Sequence, residues 1–315
     1  MLKLIVSRLG LGVATLWVMS VLVFAATEIL PGDVATAILG QESTPEARAI
    51  LTKRLGLDRP VTERYARWLT GMLRGDLGLS LATETPVSRI VGLRITNTPV
   101  LAAVAAVLAV PLSIGLGLLS AAYPGSPFDK SLGVVSLIVI SLPEFVVGLL
   151  LVLLLAVQLK VLPSMATTPD FASLPGLVRA LTLPALTLLA SVQAHMIRMT
   201  RAAVLDVMRQ PYIEMALLKG ASKRRILLRH ALPNALAPIV NVVALNLGYL
   251  VSGVVVVEVV FTYPGLGRLL VDSVATRDIP VVQVTGMIFC SAYILLTLAA
   301  DVVAVFTNPR LRYAK

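Results

Sequence analysis

Six apolar runs set the terms for this chain: Leu9–Thr27, Pro99–Ala122, Leu132–Leu159, Leu181–Ile197, Ala235–Val257 and Val281–Phe306. At about 1.5 Å of rise per residue each can cross a hydrocarbon core about 30 Å thick, with Leu181–Ile197 at the short limit. No water is available in that core, so a segment must satisfy its own backbone polar groups, and runs of this length dictate helices. The expected class is an all-α polytopic membrane protein with six transmembrane helices. Composition agrees, since 57% of residues are hydrophobic and only 14% charged, whereas soluble domains have about a quarter charged. The first run, preceded by Lys3 and Arg8, could also be a signal peptide with Val23-Phe24-Ala25 as its cleavage site. It is longer than a signal core, so it reads as a retained helix. Pro111, Pro143, Pro184 and Pro238 interrupt four of the runs, which membrane helices tolerate when neighbours satisfy the freed carbonyls.

The polar stretch Leu30–Asn97 contains two legible amphipathic helices. One starts at Thr44-Pro45-Glu46, carries Ala47, Ile50, Leu51 and Leu55 on a stripe, and closes at Gly56. The other opens at Pro60 and turns Val61, Tyr65, Trp68, Leu69 and Met72 to one side. A small packed cap outside the membrane is the expectation. Basic residues collect beside apolar spans, so the net charge of +10 is no nucleic-acid signature. The positive-inside bias puts both termini and the 198–233 segment in the cytoplasm, with 30–97 on the opposite side. A single cysteine, Cys290, excludes a disulfide within the chain, and His195 and His230 lack metal-site spacing.

Between Arg198 and Pro233 lie eight Lys/Arg against Asp206 and Glu214, a surplus of six. Inside this segment Pro211 suits a first helical position and Glu214 the positive end of the helix dipole. Ile213, Ala216 and Leu217 make one apolar face, and Lys219 followed by Gly220 predicts a C-terminal stop. Ser222 is expected to cap a second helix that runs to about His230 and ends at Pro233. A two-turn helix is marginal alone, so this one needs a surface to lie against. A basic stretch touching anionic lipid is the rival reading, but the cap and spacing do not need lipid.

These residues carry a family resemblance. Glu214-Met215-Ala216, then Gly220, then His230-Ala231-Leu232-Pro233 resembles the cytoplasmic signature of permease subunits of binding-protein-dependent ABC importers, with Met215 and His230 as departures. Further stretches resemble the dipeptide/oligopeptide/nickel branch: Pro31-Gly32-Asp33, Leu55-Gly56-Leu57-Asp58, Gly75-Asp76-Leu77-Gly78 with Ser80, Glu258-Val259-Val260-Phe261, Pro264-Gly265-Leu266-Gly267-Arg268, Arg277-Asp278 with Pro280, and the tail Asn308-Pro309-Arg310. The resemblance implies an ABC type I importer permease fold, as a single permease domain over 1–315, in a bacterial or archaeal plasma membrane. It implies a homologous second permease, two ATPase subunits that carry the ATP and Mg, and an extracytoplasmic substrate-binding protein. It implies a coupling helix formed by Tyr212, Ile213, Glu214, Ala216, Leu217, Lys219 and Gly220, and di- or oligopeptides as cargo. Chelated nickel and glutathione share the branch.

The chain has no G-x-x-x-x-G-K-[ST] loop, so no cofactor is expected on it, it is not expected to be an enzyme, and energy must arrive by contact. An ion-driven secondary carrier would show paired acids or broken helices in two matching halves. The intramembrane acids in this reading are only Glu144 and Asp301, and no halves match. Signatures of an intramembrane enzyme are missing too. Glu144, Asn241, Asn246 and Asp301 are candidates to line a translocation path, although such groups also serve as bonds between helices.

Overall fold

The computed structural model describes residues 2–29, 44–54, 58–166 and 173–307, and they are helical without a named strand. Pro31-Gly32-Asp33, Leu55-Gly56-Leu57 and the tail from Asn308 lie outside the described residues, as do the side chains of Ala47, Leu51 and Asp301. Among the described residues five helices are long and apolar enough to cross a bilayer, and a bent pair makes a sixth if counted as one span. Many large apolar side chains on these helices point outward, among them Leu11 (61% exposed), Trp17 (59%) and Val107 (70%). At about 25 cal/mol per Å² of apolar surface, that exposure is affordable only against lipid or a partner. The chain divides into two compact units, one of residues 6–98 and 264–294, the other of 1–5, 99–263 and 295–315.

In the first unit, the long helix α1 (Leu2–Ile29) is followed by α2 (Pro45–Arg54) and α3 (Val61–Leu73). Tyr65, Trp68, Leu69 and Met72 are half-buried together as the spacing predicts, but Val61 and Ile50 are exposed. α3 is fastened to α1 by Phe24, Tyr65 and Trp68, with ring centroids 5.4–6.0 Å apart. Arg64 adds a two-pronged bond to Glu28 at 2.9 and 2.6 Å. α4 (Val87–Gly92), α12 (Leu266–Ala275) and the start of α13 (Ile279–Thr307) share a core of Val87, Val91, Leu266, Leu269, Val281 and Val284. Two stretches far apart in the sequence meet at Asp278, whose carboxylate accepts from the Ser80 hydroxyl and, at 3.0 Å, from Leu81 N. Likewise Asn97 Nδ2 donates to Pro264 O at 2.8 Å and Leu266 N to Thr98 Oγ1 at 2.8 Å.

The second unit is organised by α8 (Leu174–Met208), which lies against α6 (Pro127–Ser141), α7 (Glu144–Leu151) and α11 (Leu232–Val260). Its core includes Leu101, Leu188, Met196, Val254, Phe261 and Tyr263, with Leu101 from α5 (Asn97–Ala122). Four expectations are corrected here. α8 is 35 residues long, not the short Leu181–Ile197, because Arg198 and Arg201 continue the helix instead of opening a loop. Leu132–Leu159 is not one straight helix: its two halves meet at 109°. The reason is local. Leu142 (ψ 133°) and Pro143 (ψ 143°) are both extended, as a residue before proline prefers, so a kink becomes a corner. Glu144 therefore begins a helix and does not sit in the middle of one.

The third correction concerns Pro233, which does not end its helix. The short α10 (Lys223–Ile226) passes through a π-helical turn, Leu227–Ala231, straight into α11. There the Leu232 N–H reaches back to Leu227 O, and this wider turn accommodates proline's missing donor. Fourth, Glu144 and Asp301 are not the only acids inside long apolar helices. Glu258 lies in α11 and is fully buried.

Candidate functional site

The punctuation read from residues 211–222 is present in atomic detail. Helix α9 (Pro211–Leu218) begins with Pro211 in its first turn. It closes with Gly220 at φ +80°, while Gly220 N donates to Leu217 O at 2.9 Å and Ala221 N to Ala216 O at 3.1 Å. This pair of bonds is the Schellman arrangement, in which a left-handed residue satisfies the last carbonyls. Ser222 Oγ then accepts from Arg225 N at 3.4 Å and caps α10.

The two sides of α9 do different things. Of the apolar face anticipated from Ile213, Ala216 and Leu217, Ile213 is buried and Ala216 half-buried against the chain itself, whereas Leu217 is 55% exposed. Ile213 and Leu217 join Glu214, Tyr123 and Pro124 in lining a groove of about 730 Å³. Outward, Tyr212 (44% exposed), Met215 (55%) and Leu218 (76%) stand at i, i+3, i+6, one row on a helix. Met215 and Leu218 were absent from the sequence-based set. With apolar residues nearly all round eight positions, periodicity cannot say which row faces out. Lys219 is exposed beside them.

Behind this element lies a buried ion pair that the sequence reading missed. Arg201 on α8 bonds Asp129 on α6 through Nε at 2.6 Å and Nη2 at 2.8 Å. Ser120 Oγ and Gly125 N (2.8 Å) also donate to the Asp129 carboxylate. Asp129 N in turn bonds Ser126 Oγ, the N-cap of α6. Ser126-Pro127-Phe128-Asp129 is a helix-start pattern, and that was the available signal. The pair ties the α5–α6 turn, which carries Tyr123 and Pro124, to the helix that leads into α9.

The path candidates separate. Glu144 and Asn246 line one cavity of about 460 Å³, together with Ser191, His195, Ser252 and Gly253. Asn246 is buried and its Nδ2 donates to Val242 O at 2.7 Å. Asn241 is exposed on α11 and does not line this cavity. Asp301 falls within α13 by its backbone alone. Among the described residues no cluster of three or more His, Cys, Asp or Glu could hold a metal ion.

A polytopic helical bundle that exposes a short capped apolar helix beside a cluster of cations has the form of a membrane transport subunit. Comparison with known proteins gives the family. Residues 113–313 match the family described as binding-protein-dependent transport system inner membrane component, and residues 1–114 match the N-terminal family of the same systems. The chain is 36% identical over 313 residues to the glutathione transport system permease protein GsiC of Escherichia coli (strain K12), covering 99% of this chain and 100% of that protein. The GsiC proteins of Escherichia coli O6:H1 and Salmonella paratyphi A are 36% identical over the same spans. The chain belongs to the permease components of binding-protein-dependent ABC importers, in the peptide/nickel branch, and is a multi-pass inner-membrane protein.

Proposed function

We propose that this chain is one of two homologous permeases that form the path of a peptide importer, with α9 as the element through which two ATPase subunits drive it. The observation that carries the coupling role is the outward row Tyr212, Met215 and Leu218. These side chains sit on a helix held from behind by buried Ile213 and closed by the Gly220 cap. An apolar row on a short, rigid, water-facing helix costs stability unless a partner covers it. An ATPase cleft is such a partner, and its closure on nucleotide would move α9 together with α8. ATP and Mg then belong to the ATPases and not to this chain. An extracytoplasmic binding protein delivers the cargo.

Peptides are the favoured cargo, and glutathione, itself a small peptide, is the named cargo of the GsiC relatives. Chelated nickel is the further alternative within the branch, and a secondary carrier is disfavoured for want of matching halves. Replacing Met215 and Leu218 together by Glu is expected to leave the chain in the membrane but to strip the ATPases from it during purification. Uptake should fall at least tenfold. Retention of the ATPases with normal uptake would overturn the role given to α9.

Orientation has its own test. We assign α9, the two termini and the 198–233 segment to the cytoplasm, and α3 to the opposite side, on the distribution of basic residues. Thr62 and Lys223 are both exposed. Single cysteines there, in a Cys290→Ala background, should react with an impermeant thiol reagent from opposite sides of the membrane. Labelling of both from outside contradicts the assignment.

A further inference from the structure

We propose that the cavity bounded by α6, α7, α8 and α11 is a binding site for an organic ammonium group, with the Glu144 carboxylate as its counter-ion. The proposal rests on the importer reading above and specifies which end of the cargo the path would hold. The cavity, about 460 Å³, falls within the usual range for small-ligand sites, about 300–1,000 Å³. Its lining includes one acid and no lysine or arginine; the other titratable side chains are His195 and Tyr249. The remaining polar groups can accept hydrogen bonds. Ser191 and Ser252 present hydroxyls, and Asn246 uses its Nδ2 on Val242 O, which leaves its oxygen as an acceptor. An ammonium donates three hydrogen bonds and accepts none, so the set suits it, while the charge of Glu144 with no lysine or arginine beside it disfavours an anion.

The carboxylate is also held in place. Ser191 on α8 lines the same cavity, and its hydroxyl donates to Thr187 O at 3.2 Å. On α11 the helix comes close enough that a Cβ on Gly253 would lie 2.6 and 2.8 Å from the two Glu144 oxygens. Glycine at 253 therefore makes the recess in which the carboxylate lies. A packing role would account for the close fit against Gly253, but it needs no open volume beside the charge. A carboxylate drawn partly out of bulk water is costly, and a cation arriving in the cavity offsets that cost. Relatives' cargo bearing a free α-ammonium, such as glutathione, has the required chemistry.

The test uses membranes carrying the complete transporter. Ser252 lines the cavity and is exposed, so Ser252→Cys in the Cys290→Ala background gives a reporter thiol. Its rates with a cationic aminoethyl and an anionic sulfonatoethyl methanethiosulfonate are compared. Glu144→Gln is expected to lower the cation-to-anion rate ratio about tenfold, since removing a nearby unit charge shifts the two reagents in opposite directions. Glu144→Asp should keep most of the ratio. Alanyl-alanine amide, an ammonium without a carboxylate, should slow labelling, and N-acetylalanine amide should not. That protection should vanish in Glu144→Gln. A thiol inert to both reagents, an unchanged ratio, or equal protection by the two amides each overturns the site. None of these readings depends on ATPase docking, so failure of the site and failure of the coupling role are told apart.

Discussion

Gly220→Val is expected to reduce uptake by about an order of magnitude while the protein still inserts. Gly220 sits at φ +80° with open space around it, so a side chain would collide with nothing and the penalty is purely conformational. A residue with a Cβ pays about 1–2 kcal/mol in the left-handed region, and a β-branched one more. At 1.4 kcal/mol per factor of ten, that is enough to empty the capped state of an eight-residue helix. Losing the cap frees the carbonyls of Ala216 and Leu217, which now accept from Ala221 and Gly220, and unwinds the turn that carries Leu218. The order of effect should be Asn, then Ala, then Val, because Asn tolerates the left-handed region best. ATPase co-purification and uptake measured across the three variants check this. An order set by side-chain volume alone, or three variants with normal uptake, would show that the cap does not matter for coupling.

Breaking the Arg201–Asp129 pair should have the largest effect on stability, and an asymmetric one. The Asp129 side chain is 6% exposed and that of Arg201 35%. Removing Arg201 leaves a buried carboxylate with only Ser120 and Gly125 as donors. Removing the charge of Asp129 leaves a guanidinium that can still reach water. Severing a buried pair costs about 3–5 kcal/mol, and the exposure of Arg201 argues for the lower end. Arg201→Met is therefore expected to cost about 3 kcal/mol and Asp129→Asn about 1–2 kcal/mol. At roughly 2–4 °C per kcal/mol for a domain of this size, the unfolding midpoint in detergent should drop by about 6–12 °C for Arg201→Met. The double variant should be less than additive, since the two residues share one interaction. Equal costs for the two single variants would mean that the burial difference does not govern the pair. Because the pair holds Tyr123 and Pro124 against the helix that leads into α9, reduced ATPase docking should accompany the loss.

Elements governed by local rules were legible in the chain itself. Runs of about twenty apolar residues can satisfy their backbones in lipid only as helices, so the all-α membrane class followed from composition and order. The start of α9 at Pro211, its Gly220 stop and the Ser222 cap depend on interactions within a few residues, and they stand as the spacing predicts. The family resemblance spans the chain for a related reason: its motifs are turns and caps whose residue types the backbone dictates, such as Gly75 and Gly78 at φ +82° and +76°.

What the tertiary structure decided is every matter of which side and which partner. Periodicity cannot orient a helix that is apolar nearly all round, so only packing shows that Ile213 turns inward and Leu218 outward. Arg201 reads as one more cation in a basic loop until α8 extends past it and Asp129, 72 residues earlier, meets it. Ser80 and Asp278, 198 residues apart, belong to separate motifs in the sequence and to one hydrogen-bonded cluster in the fold. Pro143 illustrates the same division. Proline predicts some interruption of a helix, but a kink and a 109° corner differ only in whether the residue before it finds packing as helix or as extended chain. That choice brought Glu144 against Gly253 and into one cavity with Ser191, where long-range contacts alone give an intramembrane acid a defined place.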